Sequence, residues 1–257
     1  MVRVHHLGTG SADPHPERGP TATWVEDGSA SLLIDCGSGT LQRFLRSGGS
    51  LRSLDALLLT HEHLDHIADV APLVFSFKLP WNRRERPLRI VASAATLALI
   101  ERWQQAMAPQ LSPDEGQVAL VPLAPEQKLA LTDAWGVQAH PVDHAPGSIG
   151  FLLEGPRRVR IAIPGDTGPC PSLQTLLDGC DLAILECGVP DHREVPGHLR
   201  PKDWEALLPL LRCGAIALVH RYAETLADPH LVERLDQALG AEVYAPSDGA
   251  IRYLHGR

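Results

Sequence analysis

The stretch that decides the fold is Ala56-Leu57-Leu58-Leu59-Thr60-His61-Glu62-His63-Leu64-Asp65-His66. Its apolar first half predicts a buried strand, and its polar second half predicts a turn that leads into a helix beginning near residue 67. His61 and His63 alternate on an extended segment, so their side chains point the same way and can reach one metal ion. Asp65 and His66 follow the turn and can reach a second ion. Because burying so many titratable groups without a cation would be costly, the stretch predicts a metal site.

Two ions need more ligands than one segment supplies, since zinc takes about four ligands in most sites. Three further positions stand at the ends of apolar runs, namely His144, Asp166 and His220. His140 is the rival of His144, but it lies inside a strand-like stretch. The carboxylate of Asp166 is suited to bridge both ions. Together these positions complete two metal sites.

Size and composition limit the classes of protein that fit. With 257 residues the chain is at the upper end of one ordinary domain, so we expect a single domain over 1–257. The net charge of -8 repels polyanions, which favours a small substrate over long nucleic acid. Five cysteines without C-x-x-C spacing predict reduced, structural thiols. The N-terminus lacks the apolar region of a signal peptide, so we expect a soluble cytoplasmic protein that does not enter membranes.

Short apolar runs bounded by Gly, Pro, Asp or Ser recur along the chain and predict thirteen strands. These cover 2–7, 22–25, 31–34, 56–59, 88–91, 118–121, 137–140, 150–153, 159–163, 182–185, 215–219, 241–244 and 250–254. Helices are predicted over 39–46, 67–77, 94–108, 172–177, 201–211 and 229–239, with Pro201 and Pro229 in first turns. Thirteen strands exceed one ordinary sheet, so the pattern favours an α/β fold of two packed sheets covered by helices.

Motifs across nearly the whole chain resemble those of the metallo-β-lactamase superfamily, in the branch that contains ribonuclease Z and the phosphonate-pathway cyclic phosphodiesterase. They are Leu7-Gly8-Thr9-Gly10, Leu33-Ile34-Asp35-Cys36-Gly37, the run from Leu59 to His66, the segment around His144, Gly165-Asp166-Thr167, Glu186-Cys187-Gly188, Gly197-His198-Leu199 and Val219-His220-Arg221-Tyr222. The resemblance implies a four-layer αβ/βα sandwich of two mixed sheets covered by helices, with the site at one edge. It also implies a homodimer.

The resemblance further implies a ligand set for two divalent ions. His61, His63 and His144 would hold one ion, Asp65, His66 and His220 the other, and Asp166 would bridge them. Zinc is the first choice of metal, and manganese and iron are alternatives because His and carboxylate ligands accommodate all three.

A hydroxide held between the two ions would be the nucleophile, and Asp65 would orient it. The resemblance places a general acid at His198, paired with a carboxylate such as Glu186; the alternative is that His198 only caps a helix or lies on the surface. Asp35 either holds a ligand histidine through its outer nitrogen or only fixes the Gly-rich turn. Glu62, between two ligands, is expected to face away from the metals.

The motifs favour a phosphodiesterase that cleaves a small or cyclic nucleotide-like ester. Ribonuclease Z enzymes carry a tRNA-grasping arm between the positions that match His144 and Asp166, and here only 22 positions separate the two. A ribonuclease Z-like tRNA 3′-processing endonuclease is therefore an alternative, as is a lactonase or thioesterase on the same metal centre. The last alternative is a metal-binding domain without catalysis. The chain also lacks the cysteine-rich N-terminal zinc motif of the cyclic phosphodiesterase.

A charged loop after the metal motif offers candidate substrate contacts. Arg83 and Arg84 could clamp a phosphate and Trp81 could stack on a base, whereas the simpler interpretation is a solvated loop. Arg221, next to His220, is a further candidate for substrate binding.

Overall fold

The strands of the protein match the sequence pattern closely. The structure is a computed structural model, and it describes residues 1–207, 212–239 and 241–256. All thirteen predicted strands are present, and there is one more, β7. The strands are β1 (Val2–Gly8), β2 (Ala22–Glu26), β3 (Ser31–Ile34), β4 (Ala56–Leu58), β5 (Leu88–Ala92), β6 (Val118–Pro122), β7 (Lys128–Ala130), β8 (Gly136–Pro141), β9 (Ile149–Glu154), β10 (Arg160–Gly165), β11 (Leu182–Glu186), β12 (Ala215–Val219), β13 (Glu242–Tyr244) and β14 (Ala250–Leu254). The sequence missed β7 because three residues are too few to show an alternating pattern.

The strands form two mixed sheets of seven strands each. The first has the order β14-β1-β2-β3-β4-β5-β6 and the second has the order β13-β12-β11-β10-β9-β8-β7. In each sheet one side is antiparallel and the other is parallel; β3, β4, β5 and β6 run parallel, as do β10, β11, β12 and β13. Parallel neighbours bring their carboxyl ends to one edge of the sheet.

Eight α-helices are described, and their bounds correct two sequence predictions. They are α1 (Thr40–Arg46), α2 (Leu64–Ile67), α3 (Val70–Ser76), α4 (Ala94–Ala106), α5 (Pro171–Leu177), α6 (Pro201–Leu207), α7 (Ala223–Leu226) and α8 (Leu231–Leu239). The predicted helix over 67–77 is two helices, so Asp65 lies in the first turn of α2 and not in a turn before it. The helix predicted from Pro229 begins at Leu231, which leaves Pro229 outside its first turn. Positions 208–211, predicted to continue α6, lie outside the described residues.

Three apolar clusters separate four layers. The central cluster joins the inner faces of both sheets and contains, for example, Ile34 from β3 and Phe151 from β9. A second cluster packs the first sheet against α1 to α4, and a third packs the second sheet against α5, α6 and α8. The order helix, sheet, sheet, helix is the predicted αβ/βα sandwich, and burial of apolar side chains between layers holds it together. None of the described helices has the length and apolar character needed to cross a membrane.

Candidate metal centre

The predicted ligands converge because each follows the carboxyl end of a strand at the same edge of the molecule. His61 follows β4, His144 follows β8, Asp166 follows β10 and His220 follows β12. His63 ends the extended segment as the N-cap of α2. Residues far apart in the chain are thus brought together by the sheet topology.

Among the described residues, three overlapping groups of side chains have possible metal-ligand atoms close together; one consists of Glu186, His198 and His220, and the other two match the predicted ligand sets. In the first of these two, the ligand atoms of His61, His63, His144 and Asp166 all lie within 4.8 Å of one another. In the second, the same limit encloses the ligand atoms of Asp65, His66, Asp166 and His220. These are the two groups that the sequence analysis named.

Asp166 belongs to both groups, as expected for a bridging carboxylate. Its Oδ2 lies 3.8 Å from Nε2 of His61, 3.9 Å from Nε2 of His144 and 3.2 Å from Nε2 of His220, and its Oδ1 lies 3.4 Å from Nε2 of His66. Burial raises the pKa of Asp166, but the neighbouring His220 and His66 lower it by more than burial raises it. The resulting pKa is well below the usual value for an aspartate. The carboxylate is therefore ionised and can accept a cation.

The arrangement of the donor atoms suits metal coordination better than it suits direct hydrogen bonds between these side chains. Nε2 of His61 and Nε2 of His66 are buried and make no hydrogen bond within the described residues. Their distances of 3.4–3.8 Å to the oxygens of Asp166 are too long for hydrogen bonds. Buried polar atoms without partners are costly, whereas nitrogen and carboxylate donors around a shared point are the ligands that zinc takes. The residues present therefore fit two divalent ions.

A buried carboxylate behind the predicted ligands orients two of them. Asp35 accepts a hydrogen bond from Nδ1 of His66 at 2.8 Å and from the hydroxyl of Thr60 at 2.9 Å. The Thr60 oxygen in turn lies 3.0 Å from Nδ1 of His61, whose N–H can donate to it. Both imidazoles are thus turned so that Nε2 faces the cluster. Of the two open interpretations of Asp35, this geometry fits the one in which it holds ligand histidines.

A separate hydrogen bond orients His144. His140, the alternative candidate ligand, does not make this bond. Nδ1 of His144 donates to the carbonyl oxygen of Gly197 at 2.9 Å, so Nε2 faces the cluster. Gly197 has a φ of +81°, and an added Cβ would lie 2.7 Å from that Nδ1. His140 is buried within β8, and it belongs to none of the groups of possible ligands in the described part of the chain.

A histidine paired with a carboxylate lies beside both predicted ligand groups. Nδ1 of His198 lies 3.0 Å from Oε2 of Glu186, whose Oε1 accepts a hydrogen bond from the amide of Thr167 at 2.7 Å. The ring of His198 is 5.0 Å from that of His144 and stacks on that of His220 at 5.6 Å. Burial lowers the pKa of His198, but the hydrogen bond and the charge of Glu186 raise it, and the net shift is upward.

The candidate substrate contacts of the charged loop, which are Trp81, Arg83 and Arg84, do not belong to the cluster of predicted metal ligands. Arg84 is buried, and its guanidinium donates to the carbonyl oxygens of Leu51 and Leu54, which precede β4 at the end of the strand opposite to His61. The expectation that Arg84 contacts substrate is therefore wrong, because its guanidinium N–H groups already donate to these carbonyl oxygens. Arg83 has a largely exposed side chain 3.9 Å from Asp114, and the ring of Trp81 is 68% exposed.

Arg221 does lie next to the cluster in the chain. Its side chain is buried, with Arg18 and Cys187 as neighbouring charged or titratable groups. Burial and the charge of Arg18 lower its pKa.

Sequence reasoning missed Thr60, Gly197 and Thr167 as supports of the site. Thr60 and Thr167 each adjoin a predicted ligand, and Gly197 adjoins the predicted acid, so position next to a motif residue was the available signal. What each one contacts depends on segments that are distant in the chain.

Comparison with known protein families assigns the chain to a superfamily. A model of the beta-lactamase superfamily domain matches residues 31–221. The chain belongs to the metallo-β-lactamase superfamily. It is thus a metal-dependent hydrolase, as the sequence predicted.

Relatives within the superfamily carry ribonuclease names. The ribonuclease Z of Mycobacterium bovis is 31% identical over 195 residues, which cover 72% of this chain and 69% of that relative. Two solved structures share the fold over 98% of this chain. The metallo-beta-lactamase fold protein YhfI of Bacillus subtilis has a TM-score of 0.83 at 21% identity and is covered completely. The short form of human tRNase Z has a TM-score of 0.78 at 22% identity and is covered to 98%.

Proposed function

We propose that this metallo-β-lactamase superfamily hydrolase is a phosphodiesterase that processes the 3′ end of RNA in the manner of a ribonuclease Z. The observation that carries the proposal is the Glu186–His198 pair beside the two ligand groups, since it supplies a proton donor where a leaving oxygen would depart. The similarity to ribonuclease Z supports RNA as the substrate. This choice departs from the sequence-based preference for a small ester.

The ligand assignment forms part of the proposal. His61, His63 and His144 would hold one ion and Asp65, His66 and His220 the other, with Asp166 shared. Zinc is the proposed metal because imidazole and carboxylate donors suit it. Two bound divalent ions would activate a water molecule and polarise the phosphoryl oxygen.

Asp65 would act on the attacking water. Its Oδ2 lies 3.3 Å from Nε2 of His220 and 3.4 Å from Nε2 of His66. Burial raises its pKa, but the hydrogen bond with His220 and the neighbouring His66 lower it, and the net shift is strongly downward. The ionised carboxylate would accept a hydrogen bond from the water and so direct an oxygen lone pair at phosphorus.

His198 would protonate the leaving oxygen. Its Nδ1–H donates to Glu186, which leaves Nε2 as the nitrogen that carries and releases the transferred proton. When the P–O bond breaks, this proton moves to the leaving oxygen and the imidazole becomes neutral. Glu186 stabilises the charged imidazolium before that step and fixes the direction of the ring.

The short interval between His144 and Asp166 is the main argument against a tRNA substrate. The aligned region covers 72% of this chain and 69% of the Mycobacterium bovis ribonuclease Z, so the two proteins are similar in length. The interval itself holds only β9, a short 3-10 turn and β10, as predicted.

A small or cyclic phosphodiester is the second candidate. The net charge of -8 disfavours a long polyanion, and the hairpin of β9 and β10 offers no arm with which to grasp one. A lactonase or thioesterase activity remains compatible with the metal centre alone, but neither reaction would explain a proton donor paired with Glu186 as directly.

A substrate panel tests these candidates. The zinc- or manganese-loaded protein is given a 3′-extended precursor tRNA, a cyclic nucleotide, bis-p-nitrophenyl phosphate and an aryl lactone. We expect shortening of the precursor at its 3′ end and hydrolysis of bis-p-nitrophenyl phosphate. Cleavage of the cyclic nucleotide with an intact precursor would select the second candidate, and lactone hydrolysis alone would overturn both. Asp166→Asn is the inactive control.

A further inference from the structure

Two cysteines lie side by side at the end of the second sheet opposite to the metal centre. Cys180 precedes β11, Cys213 precedes β12, and their Sγ atoms are 3.1 Å apart. Both are free thiols in the structure. A disulfide bond is about 2.05 Å long, so a movement of about 1 Å would bring the two sulfur atoms to bonding distance.

Main-chain hydrogen bonds hold the two cysteines in this position. The amide of Gly179 donates to the carbonyl oxygen of Arg212 at 2.7 Å, and the amide of Gly214 donates to the carbonyl oxygen of Cys180 at 3.0 Å. The pairing continues directly into the parallel strands β11 and β12. The close approach of the sulfur atoms is therefore set by the backbone of two neighbouring segments and not by flexible side chains.

The two thiols differ in their access to solvent. Cys180 is buried at 1% exposure, whereas Cys213 is only partly buried. The contact with Cys180 lowers the pKa of the Cys213 thiol, which favours its thiolate. The contact with Cys213 and burial raise the pKa of the Cys180 thiol. The guanidinium of Arg160 donates to the carbonyl oxygen of Asp178 at 2.9 Å, and its charge acts on Cys180 to lower the pKa of that thiol. Cys213 is thus the thiol that meets an oxidant first, and Cys180, whose sulfur lies 3.1 Å away, is placed to attack it next.

We propose that Cys180 and Cys213 form a reversible intramolecular disulfide by exchange with a small disulfide oxidant such as oxidised glutathione. The Cys213 thiolate attacks one sulfur of the oxidant and expels a glutathione thiolate, which gives a mixed disulfide. The Cys180 thiolate then attacks Sγ of Cys213 and expels the second glutathione thiolate. Two protein thiols are oxidised, one glutathione disulfide is reduced to two thiols, and the two protein protons pass to the products.

The disulfide would close a covalent loop of the chain, and the proposed proton donor lies within that loop. The loop runs from Cys180 through Glu186 and His198 to Cys213, while His220 lies outside it. None of the proposed metal ligands falls inside the loop, so metal binding does not require either redox state. The proposal is independent of the substrate of the metal centre.

The test is a redox titration of the metal-loaded full chain in buffers of reduced and oxidised glutathione. After acid quenching and alkylation in denaturant, we expect the number of alkylated cysteines to fall by two and peptide mapping to find a Cys180–Cys213 crosslink. Dithiothreitol should restore both thiols. Cys180→Ser should instead accumulate glutathione on Cys213, because the resolving thiol is gone.

Cys170→Ser is the matched control, since Cys170 is partly buried and its sulfur contacts hydroxyl groups and no other cysteine among the described residues. This variant should form the crosslink as the wild type does. Retention of all thiols in oxidised glutathione, a crosslink between other cysteines, or a Cys180→Ser chain without an adduct on Cys213 would each overturn the proposal.

Discussion

Nδ1 of His144 donates a hydrogen bond to the carbonyl oxygen of Gly197 at 2.9 Å. Because Gly197 precedes His198, this bond connects a proposed metal ligand to the segment that carries the proposed proton donor. The two functions are therefore coupled by position: a shift of the 197–198 backbone would move both the imidazole of His144 and the ring of His198.

Replacing Gly197 by alanine should damage the centre through this bond. Gly197 has a φ of +81°, and its added Cβ would lie 2.7 Å from Nδ1 of His144. We expect phosphodiesterase activity to fall by about tenfold or more, since small displacements of positioned groups are costly in catalysis. Gly48→Ala is the control, because Gly48 has a φ of +89° but an added Cβ there meets nothing within 4 Å. Equal losses in both variants would mean that backbone strain alone is responsible.

The His144→Gln and His140→Gln pair tests which histidine is the ligand. His144 lies in the first ligand group, and His140 is buried inside β8 away from both groups. Removing one imidazole from the first group should lower the metal content of the purified protein, measured by mass spectrometry of the elements, from two ions per chain toward one. His140→Gln should keep the wild-type content. The reverse result would transfer the ligand role to His140.

Asp35→Asn should weaken metal binding without removing a ligand. The carboxylate accepts hydrogen bonds from His66 and Thr60 and so orients two imidazoles. Loss of such a partner typically costs 10–100-fold in metal affinity, and we expect a change of about that size in competition with a chelator. Asp55→Asn is the control, since Asp55 accepts from the amide of Ser31 at the opposite end of the strands. An affinity unchanged by Asp35→Asn would restrict Asp35 to shaping the Gly-rich turn.

His198→Ala should slow cleavage strongly when the leaving group needs a proton and only slightly when it does not. For an RNA phosphodiester, whose leaving oxygen is an alkoxide, kcat should fall by about 10²–10⁴-fold. For bis-p-nitrophenyl phosphate the fall should be small, because p-nitrophenolate departs without a proton. His192→Ala is the control, as His192 is exposed on the same loop and pairs with Glu224. Equal losses on both esters would show that His198 does not donate this proton.

Asp27 provides a stability test that does not involve the metal centre. Its carboxylate accepts hydrogen bonds from the amide and the hydroxyl of Ser29, from the amide of Ala30 and from Nε1 of the buried Trp135. Burial raises the pKa of Asp27, but these hydrogen bonds lower it, and the net shift is downward. A depressed folded-state pKa means stability that is complete above the unfolded pKa of about 3.9 and lost as the pH falls through the folded value.

Asp27→Ala should therefore lower the free energy of unfolding by about 1 kcal/mol at neutral pH, because the carboxylate is only half-buried and solvent screens its hydrogen bonds. The difference from the wild type should be constant between about pH 8 and pH 5 and should shrink below about pH 4. Urea denaturation at several pH values measures it. Asp133→Ala, at an exposed neighbouring position, should change stability by less than about 0.5 kcal/mol. A difference that varies between pH 8 and pH 5 would contradict the assigned cause.

The sequence by itself predicted the strands, the two-sheet sandwich and the candidate metal ligands that the structure brings together. These follow from local patterns: apolar runs mark buried strands, and the alternation of His61 and His63 on an extended segment is visible within three residues. The αβ/βα arrangement and the superfamily were implied by the resemblance of the motifs to a known family, and both are confirmed.

The tertiary structure alone decided which groups support that centre and which do not reach it. The bonds of Asp35 to His66, of His144 to Gly197 and of Glu186 to His198 join segments separated by 12 to 53 positions. No periodicity encodes such pairs, because their distances depend on how loops leave the strand ends. For the same reason the sequence could place Arg84 near the metal motif, although its guanidinium packs against carbonyls at the far end of β4.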